Sequence, residues 1–278
     1  MTLTYTCEDS VIEVALDKLK DAGLVSKDAY FNHDAPQDLR REVAYRDFDF
    51  LSRLSRTAEA ETVRSILTWL KQEGVVPEGA TYDEDVFSEL RREVKEKFTM
   101  PGTSITPVME RLLYMLSSVR RPRRVIGLGT YCGNALVWTV GASCGSGRVY
   151  EAEKVYGIDI DAEATERAVA NFSQLAHTDH IELTADDGLL AVERLEGPFD
   201  YVYLDVDSRE LGKGVYLELL KRLHGKVERG GWVLAHDTMV PPFAEQLKEY
   251  LAYVRNGDNF EESVSFDVDP YGLELSIR

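Results

Sequence analysis

The sequence predicts a doubly wound α/β fold, a mostly parallel sheet with helices on both faces. Three observations predict it. Short apolar runs end repeatedly in glycine or a carboxylate, helix-like apolar patterns separate these runs, and polar residues gather at their C-terminal ends. Alternating strand and helix patterns make a parallel sheet, and ligands bind at the carboxyl ends of the strands in open sheets of this kind. Residues 123–135, RRVIGLGTYCGNA, carry the clearest instance. Val125, Ile126 and Leu128 read as a buried strand, Gly129-Thr130-Tyr131-Cys132-Gly133 as a tight turn, and Ala135 to Val140 as a helix. Glycine admits φ > 0 and lets a ligand come close to the backbone. The free N–H groups at the start of the next helix suit a carboxylate or phosphate. The spacing over Gly127, Gly129 and Gly133 is G-x-G-x-x-x-G. Dinucleotide-binding turns have G-x-G-x-x-G, so a nicotinamide enzyme is the least favoured reading.

The other elements follow in order. Val155 to Ile160 reads as a second strand, and its Asp159 is placed to accept hydrogen bonds from two ribose hydroxyls. Ile181 to Leu183 is a third strand, leading into the acidic turn Asp186-Asp187-Gly188. Phe199 to Leu204 is a fourth, ending in Asp205 and Asp207. Gly230-Gly231 opens a fifth, whose tip is His236-Asp237-Thr238, and Gly272 to Ile277 is a terminal strand.

The first 97 residues carry helical patterns and almost no strand-like ones. Ser10-Val11-Ile12-Glu13 is a capping box that opens an amphipathic run to about Gly23. A second run starts at Thr57, with Val63, Ile66, Leu67 and Leu70 on one face and Gly74 beyond its end. Asp83 to Phe98 is a third, with oppositely charged pairs at i, i+4. Thr106 and Pro107 suit an N-cap and first helical position, opening a helix over Val108–Val119. Residues 1–97 are expected to form a helical cap, serving as a dimerisation or acceptor-pocket element. Residues 98–278 are expected to bind the ligand. The aromatic residues Tyr30, Phe31, Tyr45, Phe48 and Phe50 either line an acceptor pocket or pack between helices.

Composition bounds the function. A chain of 278 residues with 44% hydrophobic and 29% charged residues is ordinary for a soluble protein. No run approaches 18 apolar residues, and the N-terminus lacks a signal-peptide pattern, so neither a membrane span nor secretion is expected. Three cysteines without metal spacing (Cys7, Cys132, Cys144) fit a reducing cytoplasm, and Cys132 reads as a small filler of the turn. The formal net charge of −17 excludes nucleic acid as a partner, because that affinity rests on Lys and Arg. The basic run over residues 120–124 reads as a helix end complementing its dipole.

Beyond the fold, the chain resembles the class I S-adenosylmethionine-dependent methyltransferases, within them the catechol/caffeoyl-CoA O-methyltransferase-like group. The matching pieces are Leu128 to Gly133, Ile158-Asp159-Ile160, Phe199 to Asp205, Gly230-Gly231 and Gly272 to Leu275, in family order over roughly residues 98–278. The resemblance implies a Rossmann-like, mostly parallel seven-stranded sheet and S-adenosylmethionine as cofactor. It places the cofactor on Gly129, Thr130, Tyr131, Gly133, Asp159, Asp186, Asp187 and Asp205. It places a divalent cation, Mg²⁺ or another, on Asp205, Asp237 and Thr238, with the alternative that the two aspartates fix loop backbone or contact the cofactor amine. Four positions depart from the family pattern. Gly127 stands for a glutamate, Ala135 for a serine, Ser208 for a lysine proposed as base, and Thr238 for an asparagine ligand.

Methyl transfer from a sulfonium needs aligned reactants and often removal of a proton from the acceptor. With the lysine absent, His236 is the candidate base beside Asp205, since imidazole titrates near neutrality; the alternative is a half-buried histidine bonded to a loop carbonyl. His33, His177, His180 and His224 read as surface residues. The expected activity is methylation of a small molecule, most simply at a hydroxyl. N- or C-methylation, aminopropyl transfer, and a cofactor-binding protein without catalysis remain as alternatives, and a homodimer is open.

Overall fold

The computed structural model describes residues 2–6, 59–100, 105–269 and 271–278. The elements in chain order are β1 (Thr2–Thr6), α1 (residues 59–72), α2 (Glu84–Lys97), α3 (Pro107–Arg120), β2 (Arg124–Leu128) and α4 (Asn134–Val140). Then come β3 (Lys154–Asp159), α5 (Ala162–Phe172), β4 (Ile181–Ala185), α6 (Gly188–Arg194) and β5 (Phe199–Leu204). The chain ends with α7 (Val215–Leu223), β6 (Val227–His236), α8 (Ala244–Val254), β7 (Glu262–Asp267) and β8 (Leu273–Ile277). The strands form one sheet in the order β1-β7-β8-β6-β5-β2-β3-β4. Only the pairings of β8 with β6 and β7 are antiparallel.

Successive side chains on a strand point to opposite faces, and the core divides accordingly. Val125, Tyr201, Tyr203, Trp232 and Leu234 pack with α1 to α4 in one cluster. Ile126, Val202, Leu204, Val233 and Ala235 pack with α6, α7 and α8 in the other. Both faces of the central strands are therefore covered, which explains their near-continuous apolar sequences. The connections from β2 run to β3 on one side, and those from β5 run to β6 on the other. The crevice at this reversal is where such sheets bind ligands.

The doubly wound class is present, with an eighth strand that corrects the expectation of seven. Thr2–Thr6 pairs in parallel with β7, from Thr2↔Ser263 to Thr6↔Asp267. The segment read as helical thus begins with a strand. Its Thr-Leu-Thr-Tyr-Thr alternates polar and apolar residues, and Leu3 and Tyr5 pack against the core while Tyr5 meets Trp69. The capping box at Ser10, the start at Thr57, His33, Cys7 and the aromatics Tyr30, Phe31, Tyr45, Phe48 and Phe50 lie outside the described residues.

The two described helices before residue 98 follow their patterns. In α1, Val63, Ile66, Leu67 and Leu70 are buried. Asp83 caps α2, accepting from the N–H groups of Asp85 and Val86. Thr106 caps α3 through Met109 N–H, with Pro107 at the first turn. The buried Glu59 carboxylate joins the three helices by pairing with Arg91 and Arg111. The basic run is structural: Arg121 ends α3 with φ 49°, and Arg124 donates to the carbonyls of Glu196 and Pro198. His180 and His224 are less free than expected, bonding Ser143 Oγ and the Asn259 carbonyl. No helix among the described residues is long and apolar enough to cross a membrane.

Candidate functional site

A crevice of about 770 Å³ opens at the C-terminal ends of β2 to β5. Asp159, Asp161, Asp186, Asp187, Asp205 and Asp207 all stand in its wall. With Glu210 these make seven carboxylates against Arg209 in the same wall, a balance that repels a phosphate and favours a ligand bearing a cation and hydroxyls. Asp159 is held by the turn it faces: its Oδ2 accepts from Tyr131 N–H at 2.6 Å and its Oδ1 from Asp161 N–H at 2.9 Å. Ile160, 75% exposed, gives the wall an apolar face beside this carboxylate. Asp187 also caps α6, accepting from Leu189 and Leu190 N–H, and Asp186 pairs with Arg194.

A second cavity of about 210 Å³ adjoins the first, and the two share Gly129 and Asp205. Thr130, Tyr131, Asn134 and Ala135 line it on one side, and His236, Asp237 and Tyr271 on the other. Thr130 Oγ1 is buried there with no hydrogen-bond partner among the described residues. A buried hydroxyl without a partner calls for one, and in this wall a bound polar ligand provides it. With the acidic crevice, this donor set fits S-adenosylmethionine, which carries hydroxyls, an ammonium and a carboxylate.

Gly129 serves the chain itself as well as the site. It has φ +83°, and a Cβ there would overlap the Asp205 carbonyl, standing 2.5 Å from its carbon and 2.9 Å from Val206 N. The exits of β2 and β5 touch at this point. Gly133, at φ +87°, opens α4. At Gly127, an added Cβ would lie 2.8 Å from Leu136 Cδ1, the end of a side chain on α4 that would have to shift to admit a larger residue. Cys132 is fully buried beneath the turn, as a filler would be.

At the shared edge of the two cavities lies a cluster of four charged residues. Asp205, His236 and Asp237 bring their polar atoms within 4.8 Å of one another. Asp237 adopts φ +63° at the end of β6, which turns the chain at this point. Sequence reasoning missed the fourth residue, Lys213. Its Nζ lies 3.0 Å from Asp205 Oδ1 and 2.7 Å from Asp237 Oδ2, and it donates to Tyr216 Oη at 3.1 Å. Burial opposes the charge on Lys213, yet the two carboxylates raise its pKa. Burial likewise pulls Asp205 upward, but His236 and Lys213 hold its carboxyl well below the usual range.

His236 is buried and stacks on Tyr271. Its Nδ1 lies 3.4 Å from Asp205 and 3.3 Å from Asp237, and neither ring nitrogen makes a hydrogen bond among the described residues. Burial favours the neutral ring, but the Asp205 and Asp237 carboxylates outweigh it and push the pKa up to about 9. The expectation of an imidazole titrating near neutrality is thus corrected.

Ser208, at the position of the family's lysine, is a turn former. Its Oγ accepts from Leu211 N–H, and its backbone pairs with Gly212. Thr238 Oγ1 is buried without a hydrogen-bond partner among the described residues. The divalent cation implied by the resemblance does not fit this donor set. An ammonium already bridges the two carboxylates, and the third position offers a hydroxyl in place of an amide carbonyl.

Comparison with known proteins agrees with this geometry. Residues 126–238 match a family model described as a methyltransferase domain. The O-methyltransferase ankF of Aspergillus thermomutatus is 30% identical over 150 residues, 52% of this chain and 57% of the relative. A caffeoyl-CoA O-methyltransferase of Stellaria longipes is 26% identical over 152 residues, 52% of this chain and 58% of the relative. The chain thus spans less than two thirds of the length of either. The SAH-bound methyltransferase PaMTH1 of Podospora anserina superposes with a TM-score of 0.55 at 14% identity, over 78% of this chain and 96% of that one, which is a likeness of fold. Residues 126–238 therefore match a methyltransferase domain, and the described fold is like that of PaMTH1.

Proposed function

We propose that this chain transfers a methyl group from S-adenosylmethionine to a hydroxyl of a small molecule. The observation that carries the reading is the meeting of two cavities at Gly129 and Asp205, one walled by carboxylates and one by His236 and Tyr271. The cofactor supplies a methyl already activated on a sulfonium. The chain has to hold the acceptor in line with it and manage the acceptor's proton. Asp159 is assigned to the ribose hydroxyls, and Gly129, Thr130, Tyr131 and Gly133 to the amino-acid end. Asp186 and Asp187 bound the far side of the crevice. His236 faces the acceptor.

The reading extends to a cytoplasmic protein that takes neither nucleic acid nor membrane as partner. It keeps residues 1–97 as a cap over the acceptor side or a dimer contact. The net charge of −17 and the absence of a membrane-spanning helix among the described residues support it.

Calorimetry with S-adenosylhomocysteine tests the cofactor half. The wild-type protein binds, and Asp159→Ala weakens binding by about 1.5–3 kcal/mol, the range for hydrogen bonds to a charged group. Unchanged affinity in that variant removes Asp159 from the site. No binding by the wild type removes the function. Transfer of labelled methyl to a panel of small phenols, alcohols and amines then separates O- from N-methylation.

A further inference from the structure

We propose that Lys213 is a built-in cation which takes the place of a divalent metal between Asp205 and Asp237, so that the site works without one. The inference rests on the methyltransferase reading for its consequence and on geometry for its content. The ammonium of Lys213 has three N–H donors, and three acceptors surround it: Asp205 Oδ1 at 3.0 Å, Asp237 Oδ2 at 2.7 Å and Tyr216 Oη at 3.1 Å. None of its donors is left over for a ligand. A hard cation held by the same two oxygens would stand about 2.0–2.6 Å from each, in the space between them that the ammonium fills.

The side chain is also fixed from behind. Lys213 N–H donates to Gln246 Oε1 at 2.7 Å, the Ser208–Gly212 bridge closes the turn before it, and its Nζ lies 5.6 Å from the Phe243 ring centroid. Its residue exposure is 4%. Tyr216 Oη in turn donates to the His236 carbonyl at 3.2 Å, which ties the lysine to the tip of β6. A lysine lying across the surface near an acidic patch has none of these restraints. Two half-buried carboxylates facing each other without a counter-charge are costly, and a lysine from the chain meets that cost permanently where a metal does so only when bound. Lys213 is therefore a positioning residue. It holds Asp205 and Asp237 in place beside His236 and makes no contact with the reacting atoms.

The test is the binding of Mn²⁺ alone, followed by its paramagnetic resonance signal, on the full chain with S-adenosylhomocysteine present. The wild type is expected to leave Mn²⁺ free up to millimolar concentration, and its methyl transfer to be unchanged in EDTA. Lys213→Ala, which vacates the space and leaves two carboxylates facing each other, is expected to bind Mn²⁺ at least about tenfold more tightly. Loss of an ordinary packing residue does not create metal affinity, so a gain identifies the role. Lys213→Met, which keeps the stem but ends one atom short of the ammonium and so vacates its place, guards against a collapsed alanine variant and should also gain affinity. Tight Mn²⁺ binding by the wild type, loss of activity in EDTA with recovery on Mg²⁺, or no gain in either variant overturns the proposal. Cofactor affinity is read separately. Failure of the wild type to bind S-adenosylhomocysteine sinks the methyltransferase reading, while the Mn²⁺ measurements still decide the role of Lys213.

Discussion

His236→Ala lowers kcat by about 10²–10⁴-fold, the usual size of general-base catalysis, and leaves affinity for S-adenosylhomocysteine nearly unchanged. The expectation follows from where the ring stands. Its Nδ1 lies against two carboxylates, its Nε2 has no hydrogen-bond partner among the described residues, and the residue lines the second cavity. Since the carboxylates push the imidazolium to about 9, only about 1% of the ring is neutral at pH 7, one factor of ten for each pH unit. The rate therefore climbs with pH through about 9, well above the ordinary histidine range. Stability moves the other way. A pKa raised in the folded protein stabilises fully below the unfolded value near 6.5, and the gain is lost as pH rises through about 9. Melting temperatures from pH 6 to 10 should fall in the wild type and fall less in His236→Ala. His236→Gln keeps a hydrogen bond without the basicity, so it should not restore the rate. A glutamine variant with near wild-type kcat would show that His236 only orients the acceptor.

Gly129→Val strongly destabilises the domain as well as abolishing cofactor binding. From the sequence alone, the expectation is lost binding in a folded protein. The structure changes it, because the added Cβ overlaps the backbone of Asp205 before it meets any ligand. The left-handed backbone costs a branched residue about 1–2 kcal/mol and the overlap about 1–3 kcal/mol more. Together these take a large share of a domain's 5–15 kcal/mol. Gly230→Ala is the control. Its φ is +74°, but nothing lies within 4 Å of the added Cβ, so only the backbone cost of about 1–2 kcal/mol remains. Chemical denaturation of the two variants checks the difference. A Gly129→Val variant as stable as the wild type would mean that the exits of β2 and β5 move apart easily.

The central strands were legible because their residues alternate between two buried faces and their ends carry acids, both local signals. β1 was not. Five residues of Thr-Leu-Thr-Tyr-Thr become a strand only when β7 lies alongside, and no local period announces a partner so distant in sequence. Asp205, His236 and Asp237 were found because each ends a strand. Lys213 was missed because it sits in Gly212-Lys213-Gly214, a turn with neither period nor motif. One clue was available: two carboxylates meeting at the tips of adjacent strands need a positive charge nearby, and Lys213 follows Asp205 within the same connection. The shift on His236 was out of reach, since it depends on distances to two carboxylates that only the folded chain sets.

The pairing of β1 with β7 also sets an order of events during synthesis. Thr2 must wait for Ser263, so roughly 260 residues are made in between, which at about 5–20 residues per second takes on the order of 10–50 s. Throughout that interval the first strand exists without its neighbour, and the central strands β2 to β5 can already have assembled around their own helices. The sheet is thus completed from the middle outward. Its edge position beside β7 is filled last, by a segment made long before its partner.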